Sequence, residues 1–352
     1  MEKKRNEVTV IQNRNEVTII TPQPIKGFIT PSLTPTEQKK DIAFSTIRQG
    51  PATNELTKAR ARVGINTIID AITNRATVTQ GDLTISISDE MMHGLKPQTY
   101  RLLDALTVEF TERGSKTPII TLPVRKFMDK CELKDIKETR KQITDALETL
   151  FNARFSFKDK KLGKDSQDFV DVRICDAVGI KNGVITFSLS NLFFNLMTGY
   201  PVMAYPEQLF RLNPQRNPNS YYMLRKIAEL KNMNVAKKNE DVIAVKTLVE
   251  NAPALPSYEE VKSGNRNFTK RIIDPFERDM NALSDTLTWQ YCHKNNTPLT
   301  DEELMDFSYE LFIELLVKVQ WNDYPDQTAR LKAQAEKRKK RRPSKKKMDK
   351  GK

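Results

Sequence analysis

Arg266, Asn267, Lys270, Arg271, Arg278 and Asn281 recur at helical spacing within sixteen residues of one another. Arginine and lysine side chains donate well to guanine O6 and N7, and an asparagine amide matches adenine N6 and N7. A face built from these types points to hydrogen-bonded reading of base edges. On a wheel of about 100° per residue, Asn267, Lys270, Arg271, Asp274, Arg278 and Asn281 lie opposite Phe268, Ile272, Ile273, Phe276, Met280 and Leu283. The sequence therefore predicts a helix over Asn267 to Leu283 with its apolar side held down and its cations presented. Pro275 interrupts that reading, because a proline inside a helix removes a backbone hydrogen bond. It predicts either a bend or a helix that begins after Asp274.

A second charged helix running straight into a strand is predicted within Asp135 to Phe157, with Ile136, Ile143, Ala146, Leu147 and Leu150 on one face of the helix. Its outward side carries Lys137, Lys141 and Thr144, but also Glu138, Asp145 and Glu148. Mixed sign suits protein contact as well as it suits DNA, since a phosphate-facing helix avoids acids. Lys158, Lys160, Lys161 and Lys164 follow in a loop, where they can meet backbone phosphates and position the protein without specifying sequence.

Other chemistries lack raw material. His93 and His293 stand 200 positions apart, and Cys131, Cys175 and Cys292 are single and scattered. Neither a zinc set nor a Ser-His-Asp arrangement can be assembled from neighbours. A nicking enzyme would need a His-hydrophobe-His metal site beside tyrosines such as Tyr221 and Tyr222, and the sequence holds no such pair. The expectation is binding without catalysis, metal or cofactor.

The elements that must position these faces follow one order twice. In the first run, Pro97 to Thr111 reads as a helix, Thr117 to Leu122 as a strand, Pro123 to Lys130 as a short helix, then the charged helix. Strands are predicted at Arg154 to Phe157, Phe169 to Cys175 and Val184 to Phe187, with Asn182-Gly183 as a hairpin turn. In the second run, Ser220 to Lys231 is a helix with Asn219/Ser220 at its start, Val242 to Val245 a strand, and Lys246 to Asn251 a short helix. A capping box at Ser257 to Glu260 comes before the Asn267 helix, and a second box lies at Thr300 to Glu303. Strands are expected at Thr286 to Cys292 and Leu311 to Trp321. Helix, strand, helix, helix, strand, strand is the order of a winged helix. The predicted fold class is α+β: two tandem winged-helix domains, a flexible N-terminal arm and a basic C-terminal tail. The expected boundaries are an arm over 1–60, a first domain with a helical N-terminal extension over 61–200, a second domain over 201–325, and a tail over 326–352. The extension is read from Ile65, Ile68, Ile69 and Ile72 within Leu56 to Arg75, followed by a strand at Asp82 to Ser88. In the arm, Arg5 to Val10 and Arg14 to Ile19 repeat the same motif, one short strand each.

Charge is unevenly placed. Of the net +13, +11 falls in Arg330 to Lys352, which leaves +2 for everything before it. Affinity of the folded body for a polyanion must therefore come from local patches, and the tail is a separate polycation. Leu311 to Val319, the best membrane candidate, is too short and carries Glu314. The start of the chain lacks a secretory core, so a cytoplasmic protein with no membrane partner is expected.

Laid out this way, the chain resembles plasmid replication initiators of the iteron-binding type, which are built from two winged-helix domains. The resemblance runs from Tyr100 to Trp321. It is most specific over Arg266 to Tyr291, where a basic helix start, an Ile-Ile-x-Pro-Phe turn and a Thr-Trp-x-Tyr strand are similar to the family's C-terminal reading helix and wing. Tyr100 to Leu106 and Lys141 to Phe157 are similar to its N-terminal domain. Arg211 to Asn234 is similar to the start of the second domain in initiators of mobile elements from gut-type bacteria. The resemblance implies binding of double-stranded DNA at origin direct repeats, opening of an adjacent AT-rich tract, and recruitment of host helicase and initiator machinery. It also implies a homodimer through the first domain, and it places base or phosphate reading on Asn267, Lys270, Arg271 and Arg278. A transcriptional regulator with the same two domains remains the alternative.

Overall fold

A computed structural model describes residues 44–50, 97–158 and 169–326, apart from 236, 238, 265, 266, 301 and 304–306, with side chains left out over 154–172. It also gives the backbone of β1 (Thr9–Asn13), β2 (Glu16–Ile20), β4 (Thr67–Asp70), β5 (Arg75–Gln80) and β6 (Leu83–Ser88); β3 is Phe44–Arg48. The architecture is mixed α and β, built on small antiparallel sheets.

In the first unit, α1 (Pro97–Glu112) leads to β7 (Ile119–Pro123), α2 (Val124–Lys130) and α3 (Ile136–Asn152). β8 (Arg154–Lys158), β9 (Phe169–Arg173), β10 (Cys175–Lys181) and β11 (Val184–Leu189) follow, then α4 (Asn191–Gly199). β11 lies between β10 and β7, and the β10–β11 turn uses Asn182 (φ 50°) and Gly183 (φ 74°). Two positive φ values in succession give the tight turn whose twist matches a hairpin. α3 is capped by Asp135, which accepts from the Glu138 N–H at 2.9 Å, and buries Ile143, Ala146, Leu147 and Leu150. Ile136 stays 44% exposed, outside the stripe that the spacing assigned to it.

β12 (Val202–Pro206) and α5 (Gln208–Arg211) lead to the second unit: α6 (Ser220–Asn234), β13 (Val242–Ala244), α7 (Val245–Glu250) and α8 (Tyr258–Ser263). A π-helical turn over Thr269–Ile273 runs into α9 (Asp274–Asn281), then β14 (Leu287–Cys292), α10 (Tyr309–Glu314) and β15 (Leu316–Trp321). β15 lies between β13 and β14. The two units share one junction. The first strand passes straight into the short helix, and that helix's first N–H donates to the carbonyl just before the last strand: Val124 to Gly183 at 2.9 Å, Val245 to Leu315 at 3.0 Å. The same closure is formed in both units.

The units are joined through α1, whose residues from Thr99 to Thr111 are all buried. Asp104 Oδ2 accepts from Tyr205 Oη at 2.7 Å, from Tyr221 Oη, and from Arg225 Nη1 in an ion pair. Tyr100 stacks on Tyr221 with ring centroids 3.9 Å apart. Burial pushes the phenols of Tyr205 and Tyr221 well above their ordinary pKa, so they remain donors to the carboxylate.

Several expectations change. The arm expected over 1–60 includes β3, which pairs with β12 and buries Ile47 at 1% exposure. In the arm β1 pairs with β2, Thr9 opposite Ile20 and Asn13 opposite Glu16, and of the first motif copy only Thr9 and Val10 lie in β1. The helical extension is replaced, where described, by strands: Thr67–Asp70 is β4 and Arg75 begins β5. Thr67, Ile68 and Ile69 are β-branched, and that stiffness favours a pleated strand over a helix; Ile65 and Ile72 lie outside the described residues. β8 and β9 join β4, β5 and β6 in a five-stranded sheet rather than the three-stranded sheet below α3. Phe169 to Cys175 divides into β9 and the start of β10. Leu311 to Trp321 also divides, because Ser308 accepts from the Leu311 N–H at 3.2 Å and caps α10 before β15 begins.

Removing the Asp104 carboxylate leaves the Arg225 charge buried and unpaired. Asp104→Ala should cost about 3–5 kcal/mol, read from urea unfolding, whereas Tyr205→Phe, which removes one donor, should cost about 1 kcal/mol. A shift below about 1 kcal/mol for Asp104→Ala would remove this contact from the account of how the units are held.

Candidate nucleic-acid interface

The π-turn and α9 separate their faces as the wheel predicts. Ile272, Ile273, Phe276, Met280 and Leu283 are 0–2% exposed, whereas Asn267, Thr269, Lys270, Arg271, Asp274, Arg278 and Asn281 are exposed. Burying a large apolar side chain contributes about 1.5–3 kcal/mol, so five such residues hold the element firmly onto its sheet. Pro275 is accommodated at the first turn of α9, where a missing N–H is tolerated. The extra residue of the preceding turn is carried by the Asp274 N–H, which bonds the Thr269 carbonyl. Such π-insertions often mark functional sites.

Each predicted reader has its own surroundings. Asn267 Oδ1 accepts from the Lys270 N–H at 3.1 Å and so starts the turn. Lys270 and Arg271 project from it. Arg271 adds to the forces that hold the Glu260 carboxyl below its ordinary pKa, the largest being the Ser257 backbone N–H. Arg278 is half exposed, and its Nε and Nη2 donate to Asp279 Oδ1 at 2.9 and 2.8 Å. Asn281 Oδ1 accepts from Trp289 Nε1 at 3.1 Å, so its carbonyl already has a partner on β14. Lys137 and Lys141 are exposed on α3 beside exposed Glu138, Asp145 and Glu148. Lys158 ends β8, and Arg266, Lys160 and Lys161 lie outside the described residues, as do Lys164 and the basic tail.

The back of α9 is fixed by polar contacts that the wheel did not reveal. Asp279 is 0% exposed, and its Oδ2 accepts from the Asn219 backbone N–H at 3.0 Å and the Asn219 amide at 2.8 Å. A carboxylate at the start of α6 suits that helix's positive end. Asn219, expected to cap α6 with its own side chain, turns it to Asp279 and to the Ala254 N–H instead. Gln208 Nε2 donates to the Ala282 carbonyl at 3.0 Å. Glu277 accepts from the Tyr291 hydroxyl at 3.1 Å, linking helix to strand.

Three features escaped the sequence reading. Thr269 adds a hydroxyl and a methyl to the exposed face. Tyr258, Phe268 and Tyr309 stack together, with centroids 4.5 to 5.4 Å apart, so α8, the π-turn and α10 converge on one aromatic knot. It borders an open groove of about 440 Å³ lined by Asn267, Thr269 and Ser308 among others. Arg140 is the third: on α3, it reaches toward the β10–β11 turn, with Nη2 3.7 Å from where a Cβ on Gly183 would stand. That turn, with Lys181 exposed beside it, is a hairpin tip of the first sheet, while the lysine loop between the paired strands β8 and β9 lies outside the described residues. The turn signal at Asn182-Gly183 was the available clue.

Among the described residues, no three His, Cys, Asp or Glu side chains gather as a metal set, and no helix is long and apolar enough to cross a membrane. All three cysteines are buried, and burial pushes the Cys131 and Cys175 thiols up to about 12.

Neither a family model nor a curated protein matches the sequence. Among solved structures, a selenomethionine derivative of domains 2 and 3 of RctB is similar at a TM-score of 0.41 and 10% identity, over 76% of this chain and 98% of that one. A second structure of RctB domains 2–3 is similar at a TM-score of 0.36 and 12% identity, over 70% of this chain and 90% of that one.

Burial raises the Glu277 carboxyl to about 7 against the lowering effect of the Tyr291 hydrogen bond. An acid whose folded pKa lies above its unfolded value of 4.5 holds its proton more tightly when folded. Its contribution to stability is full below about pH 4.5 and is lost as pH rises through about 7. Glu277→Gln should therefore raise stability by about 1–2 kcal/mol at pH 8 and change it little at pH 5, measured as paired thermal melts. Equal shifts at both pH values would contradict this environment for Glu277.

Proposed function

We propose that this chain binds double-stranded DNA in a sequence-specific manner through two winged-helix units and acts, without catalysis, as a replication initiator at repeated origin sites. The observation that carries the binding reading is the outward face of the π-turn and α9. Asn267, Thr269, Lys270 and Arg271 stand exposed on an element whose opposite face is sealed into the sheet and bolted to α6 by Asp279. A backbone held this firmly suits recognition of base edges, because little backbone freedom is left to lose on binding.

Within this face the roles differ. Lys270 and Arg271 are assigned to base or phosphate contact. Arg278, shared with Asp279, is assigned to a phosphate, since half of its charge is already matched within the protein. Asn281, tied to Trp289, keeps its amide NH₂ as donor. The first unit is assigned a positioning role through Arg140, Lys141, Lys137 and Lys181. The mixed charge of α3 around exposed Ile136 suits association of two copies as well.

The initiator role, with its origin repeats, host helicase partner and homodimer, rests on the likeness of Tyr100 to Trp321 to iteron-binding initiators. A footprint on DNA flanking the gene tests it: direct repeats protected beside an AT-rich tract support it, and a single protected promoter element with no such tract points to a transcriptional regulator instead. Arg271→Ala should cost about 1–3 kcal/mol in binding and relax base preference, while a chain ending at Asp326 should bind with a shallower salt dependence and unchanged preference. Undiminished discrimination between specific and random duplex in Arg271→Ala would show that the reading face lies elsewhere.

A further inference from the structure

β3 reaches this part of the molecule from far away in sequence and touches both units. It pairs antiparallel with β12, Arg48 opposite Val202 and Phe44 opposite Pro206. Its two ends are gripped by different units. At one end, Arg48 donates from Nε to Ser115 Oγ at 2.8 Å and from Nη1 to the Thr198 and Tyr200 carbonyls, each at 2.8 Å. Its backbone N–H donates to Thr111 Oγ1 at 2.9 Å. These acceptors lie at the ends of α1 and α4, in the first unit. At the other end, the Phe44 ring lies 6.3 Å from Trp321 and 5.4 Å from Tyr324, at and just beyond the end of β15 in the second unit. Between the two grips, Ser45 donates to Glu207 Oε1 at 2.5 Å, and the same oxygen accepts from Lys130 Nζ at 2.8 Å.

The strand it pairs with is the connection between the units. β12 is held on its other side by α6, where Asn232 accepts from the Ala204 N–H at 3.2 Å and donates to the Ala204 carbonyl at 3.3 Å. The connection is thus bonded on both edges. Arg225 on Asp104 and the Tyr221 ring on Tyr100 tie α1 to α6, and both contacts fall in the first two turns of α6. β3 adds attachments at both ends of a strand roughly 15 Å long, which braces that placement against rocking.

We propose that β3 is a clasp that fixes the two units at one spacing and orientation, so that the reading face of the second unit and the basic face of the first meet a duplex as a single ruler. The ruler's use on DNA rests on the reading of function given above; the clasp itself does not.

The experiment uses the full chain, the Phe44→Ala/Arg48→Ala double variant and Phe44→Ala alone, which removes only the ring contacts at the second-unit end. Without DNA, small-angle scattering and tryptic cleavage at Arg211 and Arg216, both exposed beside the connection, report its freedom. The double variant should be cleaved there at least about tenfold faster and scatter as a more extended particle, because cleavage follows the population of opened states. With DNA, a footprinted site is compared with one carrying five extra base pairs between the two contacts, about half a helical turn. The full chain should lose at least about tenfold in affinity on this insertion, and the double variant less than about threefold.

Unchanged scattering and cleavage in a folded double variant would overturn the clasp, whatever the DNA result. Altered scattering with undiminished sensitivity to the insertion would overturn its role in setting spacing. Absence of DNA binding by the full chain would overturn the functional reading while cleavage and scattering still judge the clasp. If circular dichroism shows the double variant unfolded, Phe44→Ala decides by the same readouts, with at least about threefold faster cleavage expected and no change overturning the clasp.

Discussion

A carboxylate buried in the middle of α1 governs how this protein is put together. Asp104 cannot be left there alone, since a charge removed from water without partners is too costly to keep. Two phenols and a guanidinium, all from the connection or the second unit, come to it. Its demand for donors therefore draws the first helix of one unit against the first helix of the other. A well-packed apolar contact could hold the two with similar strength. What the polar one adds is direction, because three donors on one oxygen admit few relative placements of α1 and α6.

A second carboxylate repeats this logic on a smaller scale. Asp279 caps α6 from outside that helix and ties down Arg278 on the opposite side of its own element. Arg278 on the exposed face is thus rooted, through one buried acid, in the helix that meets Asp104. The exposed polar face of α9 and the inter-unit contact belong to a single continuous framework of α1, α6 and α9.

Local pattern carried much of this. The apolar stripe from Phe268 to Leu283, the turn at Asn182-Gly183, and the reciprocal bonds of Ser257 with Glu260 and of Thr300 with Glu303 all depend on neighbours within a few residues. What stayed hidden depends on distant partners. The alternation in Leu83–Ser88 and Arg154–Lys158 shows two strands, but nothing local says that Leu83 faces Phe157 across one ladder. Asp279 falls outside the apolar stripe, and its burial follows only from where Asn219 lies. Tyr309 to Glu314 illustrates a third limit: a run of leucine, phenylalanine and isoleucine fits helix and strand alike, and a single serine cap decides.

The pairing of β3 with β12 also sets an order of events in making the protein. Ser45 and Glu207 are 162 residues apart, so the first strand of this ladder leaves the ribosome long before the second. At about 5–20 residues per second, it waits roughly 10–30 s for its partner. The first unit has its helices and sheet available during that interval. β12 itself precedes the second unit, so β3 can dock on β12 and on the first unit before the second unit is made, and the Phe44 contacts with Trp321 and Tyr324 close last.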